Sequence, residues 1–200
     1  MLSRRIAIQA FAGLLFASCQ LLAGDAEKIR VVIIDGVNNH NWRSTTPQLQ
    51  KILEESGRFH VDISTAPQKD GNPVAGKNKV AFPPDLSKYH VLLSNYNNIF
   101  GKETWPAAMQ KSLESKLSKG EIHLSIVHGA NNAHENWVEY NRMIGMGWRN
   151  NTFGDRLILN DKGETKRISK GKGPGAGHGP RHPFTVTIRD DDHPITKGMP

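Results

Sequence analysis

Two hydrophobic periods alternate along the chain. Residues 29–35 (Ile-Arg-Val-Val-Ile-Ile-Asp) form a short β-branched run, the pattern of a buried strand. Residues 36–43 are polar and read as a loop. A helix is expected next, with Thr45 or Thr46 as its cap, Pro47 in its first turn, Leu49, Ile52 and Leu53 as its inner stripe, and Gly57 as its stop. Residues 59–64 alternate and predict a second strand. Residues 66–84, rich in Pro, Gly, Asn and Lys, read as a surface connection. Residues 89–94 predict a third strand and 105–119 a helix with Met109, Leu113 and Leu117 on one face and Gly120 behind it. A fourth strand is expected over 122–127 and a short helix over 136–144. Two further β-like runs, 156–159 and 184–188, bracket a basic, glycine-rich stretch at 162–179.

Strands alternating with amphipathic helices predict a mostly parallel sheet covered on both faces. Right-handed crossovers make a flavodoxin-like, doubly wound α/β layout the simplest topology. No internal repeat is present. The last residues, from His193 to Pro200, are turn-like with no closing helix, so the domain reads as C-terminally truncated.

The first 24 residues follow a different pattern. Met1 to Arg5 is short and positive, residues 6–17 are almost wholly apolar, and small residues follow at Ser18, Ala23, Gly24 and Ala26. That is the order of a secretory signal, and the apolar run is shorter than the roughly 20 residues of a membrane span. The expected location is therefore periplasmic or extracellular, with the domain proper at 28–200. Residues 16–19 also resemble a lipoprotein box with an atypical Phe16. Lipidation at Cys19, the expected route to a membrane, and ordinary cleavage near residues 23–26 both remain open.

Composition narrows the chemistry. Cys19 is the single cysteine, so the domain holds no disulfide, thiolate metal site or cysteine nucleophile. The formal net charge is +7; without Arg4 and Arg5 it is +5, mildly basic and best read as a solvated face. The basic stretch at 162–172 lacks interleaved aromatics, so nucleic acid is not an expected partner. A Gly-x-Ser-x-Gly elbow and a phosphate-binding loop are both absent. The glycines at 171–176 do not follow a strand and contain Pro174, so they do not make a dinucleotide motif.

In open parallel sheets, ligands sit at the carboxyl ends of the strands. Three such ends are rich in amides, imidazoles and aromatics. The first carries Asp35, Asn38, Asn39, His40 and Trp42; the third, Asn95, Tyr96, Asn97 and Asn98; the fourth, His128, Asn131, Asn132 and His134. Each group alone makes good turns. Three together point to a polar site, if the topology brings them to one crevice. Amides and carboxylates bridge neighbouring hydroxyls, and an indole covers a sugar face. The expected ligand is a small carbohydrate, with Asp35, Asn39, Trp42, Asn95, Asn97, Asn131 and Asn132 binding it and His128 and His40 as acid–base groups. Histidines also suit a divalent metal such as zinc, with His178 and His182 as candidate ligands and Asp35 or Glu135 as completing carboxylates. Their spacing is not the helical metal-binding one, and Pro180 bars a regular helix between His178 and His182. His60, His90 and His123 lie inside strands and read as structural.

Taken together, residues 32–36, 39–42, 94–97, 127–132, 177–184 and 190–198 resemble the trehalose-utilisation (ThuA-like) family. The resemblance runs from about residue 28 to the end. It implies a class I glutamine-amidotransferase-like fold, a link to trehalose or related sugars, and a domain that continues past residue 200. Amidotransferases of that superfamily carry a cysteine at the turn after the strand that here ends at Val127. This chain has His128 there, so a thiol route to glutamine hydrolysis is absent. An enzyme acting on a sugar or oxidised sugar and a non-catalytic carbohydrate-binding or scaffold domain both fit. The enzyme would bring acid–base groups together at one point; the binder would offer Trp42 or Trp137 as an aromatic platform.

Overall fold

The computed structural model describes residues 27–67, 76–99, 104–160 and 162–199. The signal-like segment and Cys19 lie outside them. The chain divides into two compact units, one ending at Gly147 and one spanning Trp148–Pro200.

The first unit is a five-stranded sheet. Its elements are β1 (Ile29–Asp35), α1 (Trp42–Glu55), β2 (Phe59–Thr65), β3 (Lys79–Val80), β4 (Val91–Ser94), α2 (Ala107–Ser118), β5 (His123–Ile126) and α3 (Val138–Ile144). The order is β3-β2-β1-β4-β5 and every pairing is parallel. Apart from the two-residue β3, this is a flavodoxin-like arrangement. Val31 to Ile34 of the central strand are at most 1% exposed, which is why that strand reads as an uninterrupted apolar run.

The period-2 geometry of β1 sorts its side chains into two cores. Val32 and Ile34 join Leu92, Met109 and Leu113, the last two from α2. Val31 and Ile33 join Val61 and Ile63, with Leu49 and Leu53 of α1 packed against them. Helices therefore cover both faces, and the sheet is doubly wound. Chain connections leave β1 through α1 toward one edge and β4 through α2 toward the other. The carboxyl ends of β1 and β4 thus flank the switch point, the place where doubly wound sheets bind their ligands.

Local differences from the sequence reading have physical causes. Helix α1 begins at Trp42, not after Thr46, because the Asn41 side chain caps it by accepting from the Ser44 N–H. Pro47 is therefore inside the helix, and the buried stripe is Trp42, Thr46 and Gln50 with Leu49 and Leu53 partly covered. Ile52 is 65% exposed. Strand β3 was hidden in the polar connection. The buried Gln50 amide makes it, donating to Val61 O and Lys77 O at 2.9 and 3.0 Å and accepting from Lys77 N at 3.0 Å. His90 is structural in a definite way: its Nδ1 accepts from the Arg30 N–H at 3.0 Å, beside the β1–β4 ladder.

In the second unit, β6 (Arg156–Leu159) pairs antiparallel with β7 (Thr165–Ile168). Strand β7 falls within the basic, glycine-rich stretch, where no strand was expected. Its turn is closed by Asn160, whose Oδ1 accepts from the N–H groups of Lys162 and Glu164. Residues 184–188 form no strand, and Phe184 and Val186 are each 78% exposed. A β-branched composition makes a ladder only where an edge is present to pair with. Among the described residues no helix is long and apolar enough to cross a membrane.

Candidate functional site

The loop after β1 is tied to the loop after β4 by backbone and side chain. Asn95 N donates to Ile34 O at 2.9 Å and Asn97 N to Val37 O at 2.7 Å. Asn38 Nδ2 donates to Asn95 O and Asn95 Oδ1, at 3.1 and 3.3 Å. Asn97 Nδ2 donates to Asn39 Oδ1, while Asn97 Oδ1 accepts from Ile99 N. The amides predicted to bind a ligand thus first bind each other.

The loop after β5 joins them. Residues His128–Asn132 form a 3-10 turn directly behind the strand. A Cβ on Gly129 would sit 2.9 Å from His40 Cδ2, 3.1 Å from Asn38 Oδ1 and 3.4 Å from Asn97 Nδ2. Only a residue without a side chain lets the three loops meet this closely. The His40 and His128 rings face each other with centroids 4.5 Å apart and planes tilted by 50°. Both are exposed. His128 has φ 41°, in the left-handed region that a non-glycine residue adopts at some energetic cost. His40 is fixed from its own side, its N–H donating to Asn38 Oδ1 at 2.9 Å.

Burial divides the predicted residues into a rim and a floor. Asn39, His40 and His128 are exposed, and Asn131 and Asn132 half-buried. Asn95 and Asn97 are buried and hold loops together. Trp42 is also buried, with the Arg43 guanidinium 4.3 Å from its ring centroid. It therefore offers no platform to a sugar, and its assignment to the ligand is corrected to a helix-start anchor. Trp137 is buried too, and its Nε1 donates to Glu114 Oε1 at 2.6 Å.

Asp35 is corrected likewise. It is fully buried at the end of β1 and presents no surface to a ligand at the strand ends. Neither carboxylate oxygen makes a well-formed hydrogen bond. Burial pushes its pKa above the ordinary carboxylate value; the neighbouring Thr65 and Thr46 hydroxyls, and the Arg43 and Lys79 cations, oppose the shift without cancelling it.

Zinc requires about three protein donors around one point. Among the described residues no three His, Cys, Asp or Glu side chains converge in that way. His178 and His182, in the second unit, are exposed, and each Nδ1 lies against the carbonyl of the next residue, Gly179 at 2.9 Å and Pro183 at 2.8 Å. The donor set does not fit the expected metal, and no step below runs through one.

Sequence reasoning singled out neither Gly129, which permits the convergence, nor the role of His134. His134 is buried, at φ 53°, stacked on Tyr96 at 5.3 Å and edge-on to Trp105, Trp137 and Tyr140. Its N–H donates to Asn98 Oδ1 at 2.9 Å, pinning the β5 loop to the β4 loop from behind. Its four aromatic neighbours come from three segments, so no local pattern marks it.

No family model and no curated protein matches the chain. One solved structure does: that of a protein from Parabacteroides merdae whose name goes no further than ThuA-like. The two are 33% identical, with a TM-score of 0.70. The match covers 87% of this chain and 59% of that one, so the chain spans less than two thirds of its neighbour.

Proposed function

We propose, from the ThuA-like fold that this chain shares with its neighbour, that the domain binds a sugar or keto-sugar related to trehalose use and moves a proton on it through His40 and His128. The observation that carries this reading is the exposed imidazole pair, 4.5 Å apart, held where three strand ends meet. Two neighbouring imidazoles form an acid–base couple: one takes a proton from a hydroxyl or from the carbon beside a carbonyl, and the other delivers one to the opposing oxygen. Asn39, Asn131 and Asn132 supply neutral donors and acceptors for vicinal hydroxyls. The reading contains no amidotransferase step, because the elbow carries His128 and the single cysteine is Cys19. On this reading residues 1–24 direct export to the periplasm or beyond, with Cys19 as an anchor if it is lipidated.

The alternative, a carbohydrate-binding domain without catalysis, calls for an aromatic platform. Trp42 and Trp137 are 4% and 9% exposed, which argues against it. The test is a thermal-shift series on the mature protein with trehalose, other disaccharides and their keto forms, followed by product analysis by NMR for any sugar that shifts the transition. At least one should raise Tm for wild type and not for His128→Ala. If none of them does, the reading is wrong.

A further inference from the structure

Asn39 and Asn97 are alike in chemistry, but they stand at opposite ends of one hydrogen bond. Asn97 is 1% exposed and held at three points. Its backbone N–H donates to Val37 O at 2.7 Å, its Oδ1 accepts from the Ile99 N–H at 2.9 Å, and its Nδ2 donates to Asn39 Oδ1. The bond to Ile99 decides which way the amide faces, because a backbone N–H only donates and therefore requires the oxygen. With Oδ1 spent on Ile99, the group that Asn97 turns toward Asn39 is its NH2, and Asn39 must answer with its oxygen. Asn39 is exposed, and among the described residues its Nδ2 donates to nothing. The unspent end of Asn39 at the rim is thus a pair of N–H donors. The amide pair flanks the imidazoles: a Cβ on Gly129 would lie 3.4 Å from Asn97 Nδ2 and 2.9 Å from His40 Cδ2.

We infer that Asn39 is a hydrogen-bond donor to a carbonyl oxygen of the ligand, and that Asn97 is the positioning residue that makes it one. This rests on the sugar-site reading above and narrows it to the keto forms. A hydroxyl facing Asn39 would accept its N–H but bring a proton of its own to place. A carbonyl oxygen only accepts and leaves none over. The same donor gains strength during proton transfer. One imidazole takes the proton from the carbon beside the carbonyl, and the C–H electron pair becomes the C=C bond. The carbonyl pair moves onto the oxygen, where Asn39 holds the charge until the other imidazole delivers a proton and completes the enediol. No oxidant, reductant or co-reactant enters the step.

The experiment has two arms on the mature protein. Without ligand, NMR on isotope-labelled protein should show a coupling across the hydrogen bond from the side-chain nitrogen of Asn97 to the side-chain carbonyl carbon of Asn39. A coupling in the opposite sense, or none, overturns the inference. With ligand, calorimetric titration compares trehalose with its keto form. Wild type should prefer the keto form on the order of tenfold in Kd, the effect of one well-made hydrogen bond. Asn39→Asp keeps an oxygen toward Asn97 but turns only oxygen outward, and should lose that preference. Asn97→Ala leaves Asn39 free to turn, and should cut the preference to about twofold or less. Where Asn97→Ala does not fold, the exposed Asn39→Asp still decides. Equal affinity of wild type for the two sugars, or a preference retained in Asn39→Asp, sinks the inference and leaves the sugar-site reading standing. If neither sugar binds, that reading falls and the carbonyl assignment falls with it.

Discussion

His40 and His128 meet ring to ring, with centroids 4.5 Å apart, although one follows the first strand and the other the fifth. The sharp turn out of β5 is made at His128 itself, at φ 41°. A side chain at such a turn stands at the sheet's end, which suits reaction with a ligand better than it suits packing. The backbone strain and the exposed pair are therefore one feature seen twice, and each can be perturbed alone.

Replacing His128 by Gly should separate them. An L-residue in the left-handed region costs about 1 kcal/mol or more, and Gly adopts it freely, though Gly also raises the entropy of the unfolded chain. His128→Gly should be up to about 1 kcal/mol more stable than wild type in urea denaturation, and should lose any sugar-dependent Tm shift. A variant less stable than wild type by more than the roughly 1 kcal/mol that the added unfolded-state entropy costs would mean that the turn carries no relievable strain.

Asp35 gives a pH prediction whose sign is fixed by its environment. Burial raises its folded-state pKa above 3.8, so the folded protein holds that proton more tightly than the unfolded chain does. The resulting stabilisation is complete below about pH 3.8, shrinks as pH rises through the folded-state pKa, and is absent above it. Asp35→Asn removes the buried charge. Its Tm should equal or exceed that of wild type at pH 7, and its advantage should narrow as pH is lowered toward 4. Scanning calorimetry of both proteins between pH 4 and 8 checks this. A constant difference across the range would show that Asp35 does not titrate there.

The same two sites show how much was legible in the sequence. The β-branched run at 29–35 and the alternation at 59–64, with the apolar stretches at 89–94 and 122–127, marked the four main strands to within about two residues, and the first reads as a continuous run because a central parallel strand is apolar on both faces. The ends of those strands follow from the strands, so the loops carrying His40, Asn97 and His128 are grouped by the sequence pattern alone. What could not be read was which side of the loop surface each residue takes. Asp35, Trp42, Asn95 and Asn97 have a ligand-binding chemistry but are buried, and burial depends on tertiary neighbours. The start of α1 was misplaced because Asn41, three residues before Ser44, caps as well as Thr does. The run at 184–188 failed for another reason: strand composition does not supply a pairing partner.

Gly36, directly after β1, should tolerate no side chain. Its φ is +112°, and a Cβ would lie 2.5 Å from Ala66 O and 2.8 Å from Ala66 N. Those atoms are backbone and are held in place, since Ala66 N donates to Asp35 O at 2.9 Å. Gly36→Ala should therefore cost about 3 kcal/mol or more, combining a forbidden φ with the parting of β1 from the end of β2. Chemical denaturation reads this directly, and a loss under 1 kcal/mol would show that the two segments are not in such contact.

Gly129→Ala isolates the convergence of the loops. Here the φ is unexceptional, so the backbone accepts Ala. The added methyl instead meets His40 Cδ2 at 2.9 Å, Asn38 Oδ1 at 3.1 Å and Asn97 Nδ2 at 3.4 Å. The nearest obstacle is an exposed ring that swings away at small cost, so stability should fall by only about 1 kcal/mol. The ring that swings is, however, one of the two imidazoles. Gly129→Ala should thus keep its fold by circular dichroism, weaken the His40–His128 NOE, and cut any sugar-dependent Tm shift to well under half. A variant that keeps both the NOE and the shift would mean that the β1 and β5 loops do not approach each other at Gly129, and the shared site would have to be given up.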